Sequence, residues 1–220
     1  MLNEEQLFPY RVAAARLLEN VTGGTYGMPE TAPIARAMTE QRDGGKSKDS
    51  FSSCGELPMW LYERLGVRLD WLNRQALRPY RWGMNIQLLS ARPIGANPLA
   101  RKAKPGERYE CGDTLIIWKA LNPKNPEAYT RDAHARVVLS HPTGSMATVA
   151  EYGQPGGHVA VVNMTWGGPG RFIQSVLKFE DVLNAAYEAG KLEPIEEWEE
   201  WLKRVGLAHD TEPSPPPEAA

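Results

Sequence analysis

Residues 113–152 read DTLIIWKALNPKNPEAYTRDAHARVVLSHPTGSMATVAEY, and the fold turns on how this stretch is spaced. Apolar side chains that recur at three- and four-residue intervals earlier in the chain here alternate with polar ones, the period of a half-buried strand. The alternation predicts strands over Thr114–Lys119, Ala133–Ser140 and Met146–Tyr152, with two more at His158–Thr165 and Arg171–Leu177. Gly-Asp, Pro-Thr-Gly, Gly-Gln-Pro-Gly-Gly and Gly-Gly-Pro-Gly punctuate them, which favours antiparallel hairpins over crossovers.

Outward from this sheet the chain reads as helix. PYRVAAARLLE, residues 9–19, has helical spacing with Pro9 at its start, where a missing N–H is harmless, and Asn20, Gly23 and Gly24 as its stop. A short helix is expected over Glu30–Gln41, followed by an exposed polar loop, QRDGGKSKDS. Leu57, Trp60, Leu61 and Leu65 mark a further amphipathic helix closed by Gly66. Residues 67–108 show weak periodicity and suggest short helices and loops. After the sheet, Glu180–Gly190 and Pro194–Val205 read as helices. Helices followed by a meandering sheet make an α+β protein. Residues 1–50 are read as a helical segment of the same domain, 51–183 as its core, 184–206 as C-terminal helices, and 207–220 as a Pro-rich tail too poor in apolar residues to pack.

A chain of 220 residues buries roughly 70% of its unfolded surface and needs no staple to hold a core. Two Cys and four His, with no CxxC or HxxxH spacing, speak against a structural zinc site and call for no cofactor. A net charge of −2 argues against bulk capture of nucleic acid, although Arg64 to Lys104 forms a locally basic face with interleaved Trp and Tyr. No run approaches the ~20 apolar residues of a membrane span, and MLNEEQLFPY lacks the basic-then-apolar order of a signal peptide. The expectation is a soluble protein made in the cytoplasm.

Three residues can carry chemistry together. Cys54 stands at the loop-to-helix junction ahead of Leu57, where a helix terminus or a neighbouring imidazolium lowers a thiol's pKa; its plainer reading is a small buried side chain. Pro58 bears on the first reading, because a helix reaching back to Cys54 would lose a backbone bond there. His134 heads the second strand, with Arg136 and Val138 on its face and Ala135, Val137 and Leu139 on the other; alone, it reads as a solvated histidine. Glu151 lies at the end of the next strand and, alone, reads as a solvated strand-end acid. If the reversal spans 140–145, residue 139 faces 146 and His134 faces Glu151, so that the carboxylate orients the imidazole. Gln154 either holds a substrate carbonyl or is an ordinary turn residue. His158 is a rival base with no acid at an equivalent place downstream, and Cys111 reads as a structural thiol that a Cys54–Cys111 bridge would use in an oxidising compartment.

SSCGELPMWLYERLG, CGDTLIIW, DAHARVVLS and VAEYGQPGG, followed by NMTWGGPGRFIQSVLKFEDVL, together resemble the papain-like cysteine peptidases of bacterial cell-wall turnover, the CHAP amidohydrolase/peptidase group and the related NlpC-like group. The match runs from about 51 to 183. It departs from the family in Cys111 before Gly-Asp, in Pro58 within the nucleophile helix, and in the 80 residues from Cys54 to His134. The resemblance implies a papain-like fold with N-terminal helices on a central antiparallel sheet. It also implies Cys54 as nucleophile, His134 as base and then acid, and Glu151 as orienting carboxylate. The implied substrate is an amide in peptidoglycan or a peptide, reached at the cell envelope after lysis or injection. Two other readings stand beside it: a catalytically silent module of a phage or secretion system, and a toxin amidase acting on a protein.

Overall fold

The computed structural model describes residues 1–22, 56–68, 71–72, 99–104, 106–122, 125–143, 146–151, 159–165, 171–195 and 198–204. They form an α+β protein. Helices α1 (Glu4–Val21) and α2 (Glu56–Arg64) precede strands β1 (Ala100–Lys102), β2 (Thr114–Asn122), β3 (Asn125–Thr143), β4 (Met146–Glu151), β5 (Ala160–Thr165) and β6 (Arg171–Leu177). Helices α3 (Phe179–Glu188) and α4 (Trp198–Arg204) follow. The sheet order is β1-β6-β2-β3-β4-β5, and every neighbouring pair is antiparallel. The expected helix over 30–41, the loop 41–50 and the tail 207–220 lie outside the described residues.

Helix α1 begins five residues before Pro9, which is its sixth residue rather than its first. A mid-helix proline removes one i→i−4 bond, and this is why the sequence places the start there. Two features carry the helix across it. Asn3 and Gln6 form a reciprocal capping box with bonds of 2.9 Å each way. Beyond it, Leu7, Tyr10, Ala13, Ala14, Leu17, Leu18 and Val21 bury a continuous stripe. In α2, Pro58 is the third residue, within the first turn, where an N–H has no helical acceptor, so no bond is lost. Gly66 closes α2 at φ +84°, with Val67 N bonded to Tyr62 O and Gly66 N to Glu63 O at 2.9 Å. Gly190 closes α3 in the same way through Lys191 N and Ala186 O at 2.7 Å. Pro194 does not open a helix; α4 starts at Trp198.

The alternation sorts each strand onto two faces. Ile116, Ala135, Val137, Leu139, Ala150 and Leu177 share one buried cluster with α1, α2, α3 and Trp201 of α4. Leu115, Ile117, Val138, Ala147, Val149 and Val176 form a second cluster with Tyr109 and Met164. At ~25 cal/mol per Å², such burial is the main favourable contribution to the fold. The segment 107–113 is pinned between them: Tyr109 N donates to Nδ1 of buried His141 at 2.8 Å, and Gly112 N bonds Val138 O at 2.9 Å.

Gly112 has φ +92°, and a Cβ there would lie 2.8 Å from Cδ2 of Phe179, whose ring stacks on Tyr62. Gly112→Ala is expected to lower stability by about 2–4 kcal/mol, because strained backbone and overlap with a buried ring add together. Urea unfolding with an unchanged m-value checks it; a midpoint equal to wild type contradicts it.

Candidate functional site

His134 does not head its strand. It is the tenth residue of β3, because β2 and β3 continue past it through Trp118↔Ala133, Ala120↔Tyr129 and Asn122↔Asn125 into a long hairpin. Its backbone pairs with Ile117, and that of Arg136 with Leu115, so both side chains stand on the second face of the sheet. Glu151 follows Ala147 and Val149 at two-residue steps and lies on the same face.

The β3–β4 register differs from the expected one by two residues. The ladder runs Val137↔Ala150 and Val138↔Val149, and past irregularities it reaches Thr143↔Met146, so strand pairing occupies part of the reversal expected over 140–145. Continuing it by one step sets Glu151 opposite Arg136 and leaves His134 diagonal to it. A slip of one residue would have sent Glu151 through the sheet; a slip of two keeps the face. Diagonal neighbours lie within reach of long side chains. His134 Nε2 is 3.1 Å from Glu151 Oε2, and Arg136 Nε donates to the same oxygen at 2.6 Å.

The Glu151 side chain is 7% exposed, that of Arg136 15% and that of His134 29%, so the carboxylate is the most buried of the three and the imidazole the most exposed. Burial pushes the Glu151 carboxyl up, but the His134 hydrogen bond and the Arg136 charge outweigh it and hold the carboxyl below its ordinary range. Glu151 is therefore an anion at neutral pH. Nε2 is the ring nitrogen that His134 turns toward the carboxylate.

Cys54, Gln154 and the rival base His158 lie outside the described residues. Cys54 precedes the first residue of α2 by two positions, and α2 packs on the first face of the sheet through Leu57, Trp60 and Leu61. Cys111 is a free thiol packed against the first cluster, and burial, with Asp113 adding to it, pushes the thiol up to about 11. Such a sulfur is protonated and inert near neutral pH.

Arg136 is the member that reading the sequence for catalytic types passes over. Its signal was present in the alternation that puts it on the face of His134. Among the described residues no group of three or more His, Cys, Asp or Glu is placed to hold a metal ion, and no helix is long and apolar enough to cross a membrane. Compared with protein-family models, curated proteins and solved structures, the chain has no match.

Proposed function

We propose that the protein is a cysteine-dependent amide hydrolase of papain-like fold that acts on peptidoglycan, with Cys54 as nucleophile, His134 as base and then acid, and Glu151 as the carboxylate that orients the imidazole. The observation that supports it is the 3.1 Å contact between His134 Nε2 and an ionised, buried Glu151. A carboxylate so placed fixes the ring and stabilises the imidazolium that forms when a thiol gives up its proton. The thiolate attacks the amide carbon, backbone N–H groups hold the oxyanion, and the imidazolium protonates the departing amine. Water, deprotonated by the imidazole, then attacks the thioester; acid is released and the thiol restored. The mechanism requires the chain ahead of α2 to bring the Cys54 sulfur to the second face of the sheet. Gln154, three residues beyond Glu151, is proposed to hold the substrate carbonyl.

The test is the release of free amines from purified cell walls. Wild type is expected to release them, and Cys54→Ala to leave the wall intact. Release by the variant at the wild-type rate would remove Cys54 from the chemistry. Silence of both proteins on walls, with modification of an intact protein substrate by wild type, would move the substrate to protein. The bond from Arg136 to Glu151 also suits a second reading, a catalytically silent module in which Arg136, Glu151 and His134 brace β3 against β4. Silence on both substrates would select it.

A further inference from the structure

One oxygen of Glu151 serves two partners. Oε2 accepts from His134 at 3.1 Å and from Arg136 at 2.6 Å, so the shorter bond belongs to the guanidinium. Among the side chains described on this face, Ile117 and Leu115, whose backbones pair with His134 and Arg136, and Ala147 and Val149 on β4 are uncharged. At Glu151 Oε2 one anion meets one cation and one titratable ring. With the ring neutral, the three sum to zero; with it protonated, they sum to +1. Without Arg136 the protonated ring and the carboxylate would form a closed ion pair, which favours a ring that keeps its proton.

We propose that Arg136 is a positioning residue for the His134–Glu151 pair: by bonding the oxygen that His134 uses, it fixes the carboxylate and offsets part of its charge, so that Glu151 orients the imidazole and supports the imidazolium formed during the reaction without holding the resting ring protonated. The base stays available to take a proton from the nucleophile. This rests on the reading of His134 as the base. Two residues apart on one strand, Arg136 and His134 approach the acid from a single face, an arrangement that the β3 alternation builds in.

The experiment is a pH titration of the His134 ring by NMR in the full chain, comparing wild type with Arg136→Gln and Arg136→Lys. Arg136→Gln is expected to raise the midpoint of His134 by about one pH unit, a tenfold gain in proton affinity. Arg136→Lys, which keeps the charge, should stay within a few tenths of wild type. A merely structural arginine would lower the Tm of both variants and leave both midpoints alone. A wild-type midpoint in Arg136→Gln, or an equal rise in Arg136→Lys, overturns the proposal. Arg136→Met, which keeps an apolar stem, gives the same reading if the Gln variant does not fold. The two proposals fail separately. If Cys54→Ala still hydrolyses walls while Arg136→Gln moves the midpoint, the hydrolase reading falls and the electrostatic role of Arg136 stands. If Cys54→Ala is dead and the midpoint does not move, only the role of Arg136 falls.

Discussion

Replacing His134 with alanine is expected to lower kcat/KM for amide release by about 10⁴-fold while leaving the protein folded. The size follows from the two duties given to the ring. It removes the proton that makes Cys54 a nucleophile and later returns one to the leaving amine, and a base and nucleophile that act as a unit are lost together. The fold should survive because the His134 ring is partly exposed and belongs to neither buried cluster. The substitution keeps the alternation of β3, and Ala135 and Val137 would still pack against the helices. Glu151→Gln is expected to fall less, by about 10–100-fold, because an amide still accepts a hydrogen bond from the ring but no longer offsets its charge. A His134→Ala protein with more than a tenth of wild-type activity would show that the ring is a strut.

The second large effect is on stability and lies away from the candidate site. Asp113 is 1% exposed and holds three elements at one point. Its Oδ1 accepts from Phe179 N, the first residue of α3, at 2.9 Å; its Oδ2 accepts from Glu110 N at 2.9 Å and from the Lys178 ammonium. Its own carbonyl accepts from Val138 N of β3 at 2.8 Å. Burial pushes its carboxyl up despite these donors, so its charge is only partly offset. Asp113→Ala strands two N–H groups and a half-buried ammonium, and the expected loss is about 3–4 kcal/mol, or roughly 6–15 °C in Tm. Asp113→Asn keeps an acceptor toward Phe179 N and gives up a costly charge, so about 1 kcal/mol is expected. Thermal unfolding of the two variants side by side checks the order; equal losses would mean that the charge, rather than the acceptor geometry, holds the junction.

Much of this architecture is legible in the chain because it rests on periodicity and on glycines that have one job. The β6 boundaries follow from alternation, and Gly66 and Gly190 end their helices as left-handed caps do. The meeting of His134 and Glu151 was legible for a similar reason: face is set by parity, which survives the two-residue slip in register. What was not legible depends on tertiary partners. Strand β1 has three residues, two of them basic, and exists because β6 offers an edge to Ala100–Lys102. The β2–β3 extension through Asn125 to Ala133 contains Pro126 and no clean alternation, and it is backbone pairing across the hairpin that holds it. Pro9 misplaced the start of α1 because a local penalty is visible in sequence, whereas the buried stripe that outweighs it is settled only by what it packs against. Arg136 was visible as a neighbour of His134, but its bond to the acid needs the true register.

The most direct measurement of the partnership between sulfur and imidazole is the rate of iodoacetamide alkylation at Cys54 as a function of pH, in wild type and in His134→Ala. Cys111 serves as the internal reference, since its thiol, raised to about 11, should scarcely react near neutrality. The expected result is rapid labelling of Cys54 at pH 7 in wild type and a fall of at least tenfold in the variant, with recovery only as the pH nears the ordinary thiol range. Equal labelling of Cys54 in the two proteins at pH 7 would contradict the partnership.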